Sequence, residues 1–238
     1  MTLLAPDVRL ATGDDAGQVA ARAAVEAAGH FEPLTASIVE AAGAATTGDE
    51  SLVLDLGAGT GHHLAGVLRA LPEAKGVALD VSRAASRRAA CAHDSGAAVR
   101  CDIWSQIPLG DSTVDLALSV FAPRNGAELA RVVRPGGTVV VVTPTSRHLH
   151  ELRTLHTISV DPDKVVRLRR QFSPWFELTR VRPINWTLSL TRAQAAGVVR
   201  MGPAARHLIA DFDGRVAIMC EPVAVTAAVQ LRVFRRCV

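Results

Sequence analysis

Between residues 51 and 144 the chain alternates short apolar runs with stretches of helical spacing, and this alternation constrains its fold most. The runs are SLVLDL (51–56), KGVALD (75–80), AAVRC (97–101), VDLALSV (114–120) and TVVVVTP (138–144). Strands buried on both faces read as nearly continuous apolar runs, whereas a strand with one wet face alternates. The intervening segments predict a helix over 60–71 ended by Pro72, another from an N-cap at Ser82 to about His93, and a short one over 125–133. Pro135-Gly136-Gly137 predicts a tight turn into the fifth run. Strands alternating with helices imply an α/β fold, with a Rossmann-like, mostly parallel twisted sheet and helices on both faces.

The flanks are less regular. Residues 14–43 are Ala-rich with helical spacing, and Gly29 and Pro33 break it, which predicts two helices joined by a turn at Gly29-His30-Phe31. Residues 44–50 form a polar linker. Beyond 145 the pattern predicts helices over 146–156, 161–171 and 191–201, one or two strands within 176–190 interrupted by Pro183, and a terminal strand over 225–234.

The segment that carries chemistry is Asp55-Leu-Gly57-Ala-Gly59-Thr60-Gly61, directly after a strand and opening a helix. Glycine allows close approach of backbone to a ligand, and open α/β sheets bind ligands beyond the carboxyl ends of their strands. A dinucleotide site presents a helix N-terminus to a pyrophosphate, which a carboxylate at the loop base would repel. Asp55 suits a cation instead, and the ammonium and sulfonium of S-adenosylmethionine supply one. Asp80, with Val81 beside it, ends the second strand, where an acid accepts from ribose hydroxyls. Asp102 follows the third strand, placed to accept from an adenine amine. The chain thus divides into an N-terminal helical cover for the cofactor (1–45), an S-adenosylmethionine-binding core (46–160) and a C-terminal part of the same domain with substrate-binding elements (161–238).

Composition excludes several classes. No run of about 18 apolar residues predicts a membrane-spanning helix, and MTLLAPDVRL is a poor signal peptide. Cys91, Cys101, Cys220 and Cys237 form no C-x-x-C pair, which argues against a disulfide framework or a structural zinc site and fits a reduced cytoplasm. His62 and His63 are adjacent on a helix and diverge by about 100°, a poor metal clamp, so no metal is assigned. The net charge of +3 divides into −7 over residues 1–120 and +10 over 121–238. A basic half suits a phosphate-rich partner, unless its arginines are solvated or paired.

On these residues the chain resembles the class I S-adenosylmethionine-dependent methyltransferases. More closely, it resembles the large-subunit rRNA guanine-N1-methyltransferases of the tylosin- and mycinamicin-resistance branch. The carrying segments are AARAAVEAAGHFEPL (20–34), VLDLGAGTGHHLAGVL (53–68), VFAPRN (120–125), RVVRPGGTVVVVTP (131–144), HLHEL (148–152) and MGPAARH (201–207). The resemblance implies a cytoplasmic enzyme that methylates guanine N1 in ribosomal RNA and is associated with macrolide resistance. It implies cofactor contacts from Phe31, Gly59, Thr60 and His148, beside Asp55, Gly57, Gly61, Asp80, Val81 and Asp102. Phe121, Pro123 and Arg124 follow the fourth strand, where base-modifying methyltransferases grip the target; Phe121 either stacks on a base or is a core residue at a strand end. Guanine N1 must lose a proton, and Asp102, Glu128 and His148 all stay open as its acceptor. Arg124, Arg147, Arg153, Arg167, Arg169, Arg170, Arg180 and Arg182 are the expected contributors to an RNA surface. Family members begin with a zinc module of three cysteines and one histidine, whereas this chain has no cysteine before Cys91. Either the gene start was placed late, the module was removed, or this branch does without it; in the last case a small-molecule methyltransferase of an antibiotic pathway is the alternative.

Overall fold

The computed structural model describes residues 1–3, 13–46, 50–157 and 170–237. Helix α1 (Ala16–Ala27) starts at a capping box, the Asp15 side chain accepting from the Gln18 backbone and Gln18 reaching back to Asp15. After a turn with Gly29 at φ +77° comes α2 (Glu32–Gly43). Then β1 (Leu52–Leu56), α3 (His62–Ala70), β2 (Lys75–Asp80), α4 (Arg83–Ala89), β3 (Gly96–Arg100), β4 (Val114–Val120), α5 (Gly126–Val132) and β5 (Val133–Pro144) follow the expected alternation. Ser82 caps α4 as predicted, but the helix stops at Ala89, short of His93.

The C-terminal part contributes β6 (Phe176–Leu190), α6 (Arg192–Arg200), α7 (Phe212–Ala217) and β7 (Val223–Arg236). All seven strands form one sheet, ordered β3-β2-β1-β4-β5-β7-β6. Strands β1 to β5 are parallel to their neighbours, whereas β7 runs antiparallel to β5 and to β6. Pro183 lies within a single long strand because β6 is an edge, where a residue without an N–H is tolerated. Residues 146–156 hold a 3₁₀ turn over His150–Leu155 in place of the expected α-helix. The helix expected over 161–171 lies largely outside the described residues.

Strand alternation divides the core between the two faces of the sheet. Val53, Leu116, Leu118, Val140 and Val142 pack with α1, α2, α3 and α6 residues such as Leu34, Ile38, Leu68 and Val199. Leu54, Leu56, Ala117, Val139 and Val141 pack on the other face with Leu129 of α5 and with Phe172, Phe176 and Phe234. Both faces are therefore apolar, which is why the strands read as continuous runs. Among the described residues no helix is long and apolar enough to cross a membrane.

Candidate cofactor and acceptor site

A cavity of about 740 Å³ opens beyond the carboxyl ends of β1, β2 and β4. Asp55, Gly57, Ala58 and Gly59 line it from the Asp55–Gly61 loop, where Gly57, Gly59 and Gly61 have φ of +64°, +57° and +80°. Side chains rarely adopt that region, so backbone geometry favours glycine here. The sequence predicts these glycines for close approach of a ligand, and the structure adds a packing reason. A Cβ on Gly57 would stand 2.6 Å from the Ala122 Cβ, and one on Gly59 would stand 2.8 Å from Arg22 Nη1. A Cβ on Gly61 would stand 3.0 Å from the Ala89 Cα. The loop is thus pressed against the β4–α5 loop, α1 and α4 in turn.

Of the carboxylates around this loop, three have raised pKa values. Asp55 is 2% exposed, and burial, with Asp80 and Glu26 nearby, pushes its pKa from an ordinary 3.8 to about 8. Asp80 accepts from the Gly59 N–H at 2.9 Å and from the Ser82 N–H at 2.8 Å, yet burial still raises its pKa. Glu26 of α1 accepts a hydrogen bond from the Thr60 hydroxyl, and burial raises it too. Carboxylates that resist ionisation form a site short of positive charge, and a cationic ligand supplies it. Beside them the half-buried His63 is bonded to the Thr35 hydroxyl at 3.0 Å, and desolvation drives its pKa down to about 3, so it stays neutral.

Of the residues expected at the cofactor, Phe31, Asp55, Gly57, Gly59, Asp80, Val81, Asp102 and His148 line the cavity. Thr60 and Gly61 do not line it; Thr60 is 5% exposed beneath the loop, and Gly61 is the N-cap of α3. Phe121 and Pro123 line the same cavity. Phe121 is 40% exposed, whereas Phe31, Phe172, Phe176, Phe212 and Phe234 are all buried, so it is not a core residue at a strand end. It stacks on His148 with ring centroids 5.5 Å apart and holds a φ of +55°.

Other expectations are corrected. Arg124 is buried and does not line the cavity; the backbone turns inward after Pro123 to place Asn125 as the N-cap of α5. Burial, with Arg232 nearby, lowers the Arg124 pKa to about 10. Glu128 is no candidate base: its carboxylate binds Arg131 at 2.7 Å and the Ile107 N–H at 2.7 Å, away from the cavity. His148 Nδ1 accepts from the Ala228 N–H at 3.2 Å, so in the neutral ring the proton sits on Nε2. Of the expected RNA-facing arginines, Arg147, Arg153 and Arg170 are exposed, and Arg153 lines the cavity. Arg180 and Arg182 pair with Glu40 of α2, and Arg167 and Arg169 lie outside the described residues.

Among the cavity residues that escape the sequence reading are Asp14, Arg22, Glu26, Trp104 and His156. Arg22 and Glu26 are one turn apart on α1, a spacing visible in the sequence. The loop they approach is brought there only by the fold. Trp104 is 57% exposed, two residues beyond Asp102. The His156 pKa is lowered by burial, then by Arg153 and His207, which leaves a neutral imidazole on the wall.

A methyltransferase-domain family model matches residues 53–137, from β1 to the turn of β5. A Micromonospora griseorubida protein, provisionally named a 23S rRNA (guanine-N(1)-)-methyltransferase, is 46% identical over 238 residues, covering 94% of this chain and 81% of the relative. The 23S rRNA (guanine(748)-N(1))-methyltransferase of Streptomyces fradiae is 43% identical over 209 residues, covering 87% of this chain and 74% of the relative. The YcgJ protein of Bacillus subtilis superposes with a TM-score of 0.59 at 15% identity, covering 85% of this chain and 98% of that one, a likeness of fold alone. With such identity carried across most of both chains, this protein belongs to the 23S rRNA (guanine-N1)-methyltransferase family and is an S-adenosylmethionine-dependent methyltransferase of Rossmann-like class I fold.

Proposed function

We propose that the enzyme transfers a methyl group from S-adenosylmethionine to N1 of a guanine in large-subunit ribosomal RNA, a modification associated with macrolide resistance. One cavity running from the glycine loop to the stacked Phe121 and His148 carries the reading. Asp102 would hold the adenine, Asp80 and Val81 the ribose, and Asp55, Gly57, Gly59 and Phe31 the methionine end. Thr60 and Gly61 act from beneath, by fixing the loop. The donor supplies an electrophilic methyl on a sulfonium. The protein's part is to orient the acceptor guanine and exclude water. Phe121 offers a face for the guanine and Pro123 borders it. Residues 1–45 act as the cover over the donor, 46–160 as the core that binds it, and 161–238 as the bearer of acceptor-side elements. The Ala122–Gly57 contact ties the acceptor loop to the donor loop, so the two substrates are registered through backbone. The enzyme works in the cytoplasm, where ribosomes are.

RNA affinity at two salt concentrations tests this reading. Binding to phosphates releases counterions, so affinity should fall steeply with salt, at a log–log slope of roughly −0.7 per phosphate on single-stranded RNA. Replacing Arg147 and Arg153 by Ala should flatten that slope by about 1.4 and weaken all RNA sequences alike, since phosphate contacts position without specifying. Weak binding with no salt dependence would favour the small-molecule alternative.

A further inference from the structure

The donor is a zwitterion at its methionine end, carrying a carboxylate as well as an ammonium. Around the glycine loop the cavity presents Asp14, Glu26, Asp55 and Asp80, four carboxylates that would repel the donor's own. Arg22 of α1 is the guanidinium among them. Its Nη2 is held by Asp14 at 2.6 Å and by the Met201 carbonyl at 2.7 Å. Its Nη1 lies 2.8 Å from where a Gly59 Cβ would stand, on the face of the loop that glycine leaves bare. A guanidinium carries five N–H donors in a rigid fork, so it can stay anchored on Asp14 and still receive a second carboxylate. One turn later Glu26 presents its carboxylate to the same loop, bonded to the Thr60 hydroxyl. Residues at i and i+4 lie on one helix face, so the two opposite charges meet the same loop side by side.

We propose that Arg22 and Glu26 read the amino-acid end of the methyl donor, the guanidinium binding its carboxylate and Glu26 its ammonium. The proposal rests on the cofactor reading above. It assigns α1 a selective role: the helix recognises the part of the donor farthest from the adenine, and Gly59 is glycine partly so that Arg22 can reach over the loop.

Calorimetry with matched ligands tests it. Wild type should bind S-adenosylmethionine at least about 10- to 100-fold more tightly than decarboxylated S-adenosylmethionine, the range expected for charged hydrogen bonds. Arg22→Ala should weaken S-adenosylmethionine to the level of the decarboxylated compound while changing the latter less than about threefold, and Arg22→Lys should restore part of the loss. Glu26→Gln should weaken S-adenosylmethionine but not its analogue lacking the amino group. Unchanged binding of the decarboxylated compound shows that Arg22→Ala still folds. Equal loss of both ligands in Arg22→Ala, or no loss of either, would overturn the assignment and leave the cofactor reading intact. Failure of wild type to bind any of these ligands would overturn both.

Discussion

Gly59→Val is expected to leave a folded protein that binds S-adenosylmethionine about 100-fold more weakly than wild type, through lost charged hydrogen bonds and a displaced loop. At φ +57° a β-branched residue is strained, and its Cβ would sit 2.8 Å from Arg22 Nη1. Strain of about 1–2 kcal/mol at a left-handed position lowers the melting temperature of a chain of this size by roughly 2–8 °C, well short of unfolding it. The larger effect is local. Arg22 has to swing off the loop, and the Gly59 N–H that bonds Asp80 is displaced with the backbone. Binding calorimetry beside a thermal melt checks this; undiminished affinity in a folded variant would mean that the loop is not where the donor binds.

Asp55→Asn is expected to stabilise the ligand-free protein near neutral pH and to cut its affinity for S-adenosylmethionine by about tenfold or more, the loss of one charged partner. Asp55 is protonated in the fold up to about pH 8, whereas in the unfolded chain it ionises near 3.8. Between those values the folded state holds the extra proton, so stability falls as pH rises, by up to about 1.4 kcal/mol per pH unit. The half-buried His63 works in the opposite sense, its pKa going from 6.5 in the unfolded chain to about 3 in the fold. Below pH 6.5 that residue cancels much of the slope, and between 6.5 and 8 Asp55 dominates, with Asp80 and Glu26 raised in the same direction. Wild type should therefore lose thermal stability across pH 6.5 to 8, and Asp55→Asn should lose little. Donor affinity should show the mirror image, rising with pH as the carboxylate ionises and a proton is released on binding. Parallel melting curves for the two proteins across that window would contradict the account.

The parts legible in the sequence are those fixed by local chemistry. Continuous apolar runs marked the parallel strands because both faces are covered, and Ser82, Pro72 and Gly29 punctuated them where the structure turns. The glycine loop was legible because three glycines at positive φ leave a spacing that few other demands produce. What depends on non-local approach was not legible. Strand β7 runs antiparallel to β5 and to the edge strand β6, a reversal that no residue within these strands announces. Helix α7 is only six residues long and contains Gly214, too short for its period to register. Arg124 looked like a substrate contact by position, but burial depends on how the chain turns after Pro123. Arg22 and Glu26 sat on an Ala-rich helix whose target loop lies 30 and more residues away in the chain.

The most direct measurement is transfer of labelled methyl from S-adenosylmethionine to 23S rRNA, with the RNA then digested to nucleosides and separated by mass. The account predicts that label appears in 1-methylguanosine, at about one methyl per RNA, and that free guanosine and macrolides take up none. Label in a small molecule with none in RNA, or in RNA at an atom other than guanine N1, would contradict it.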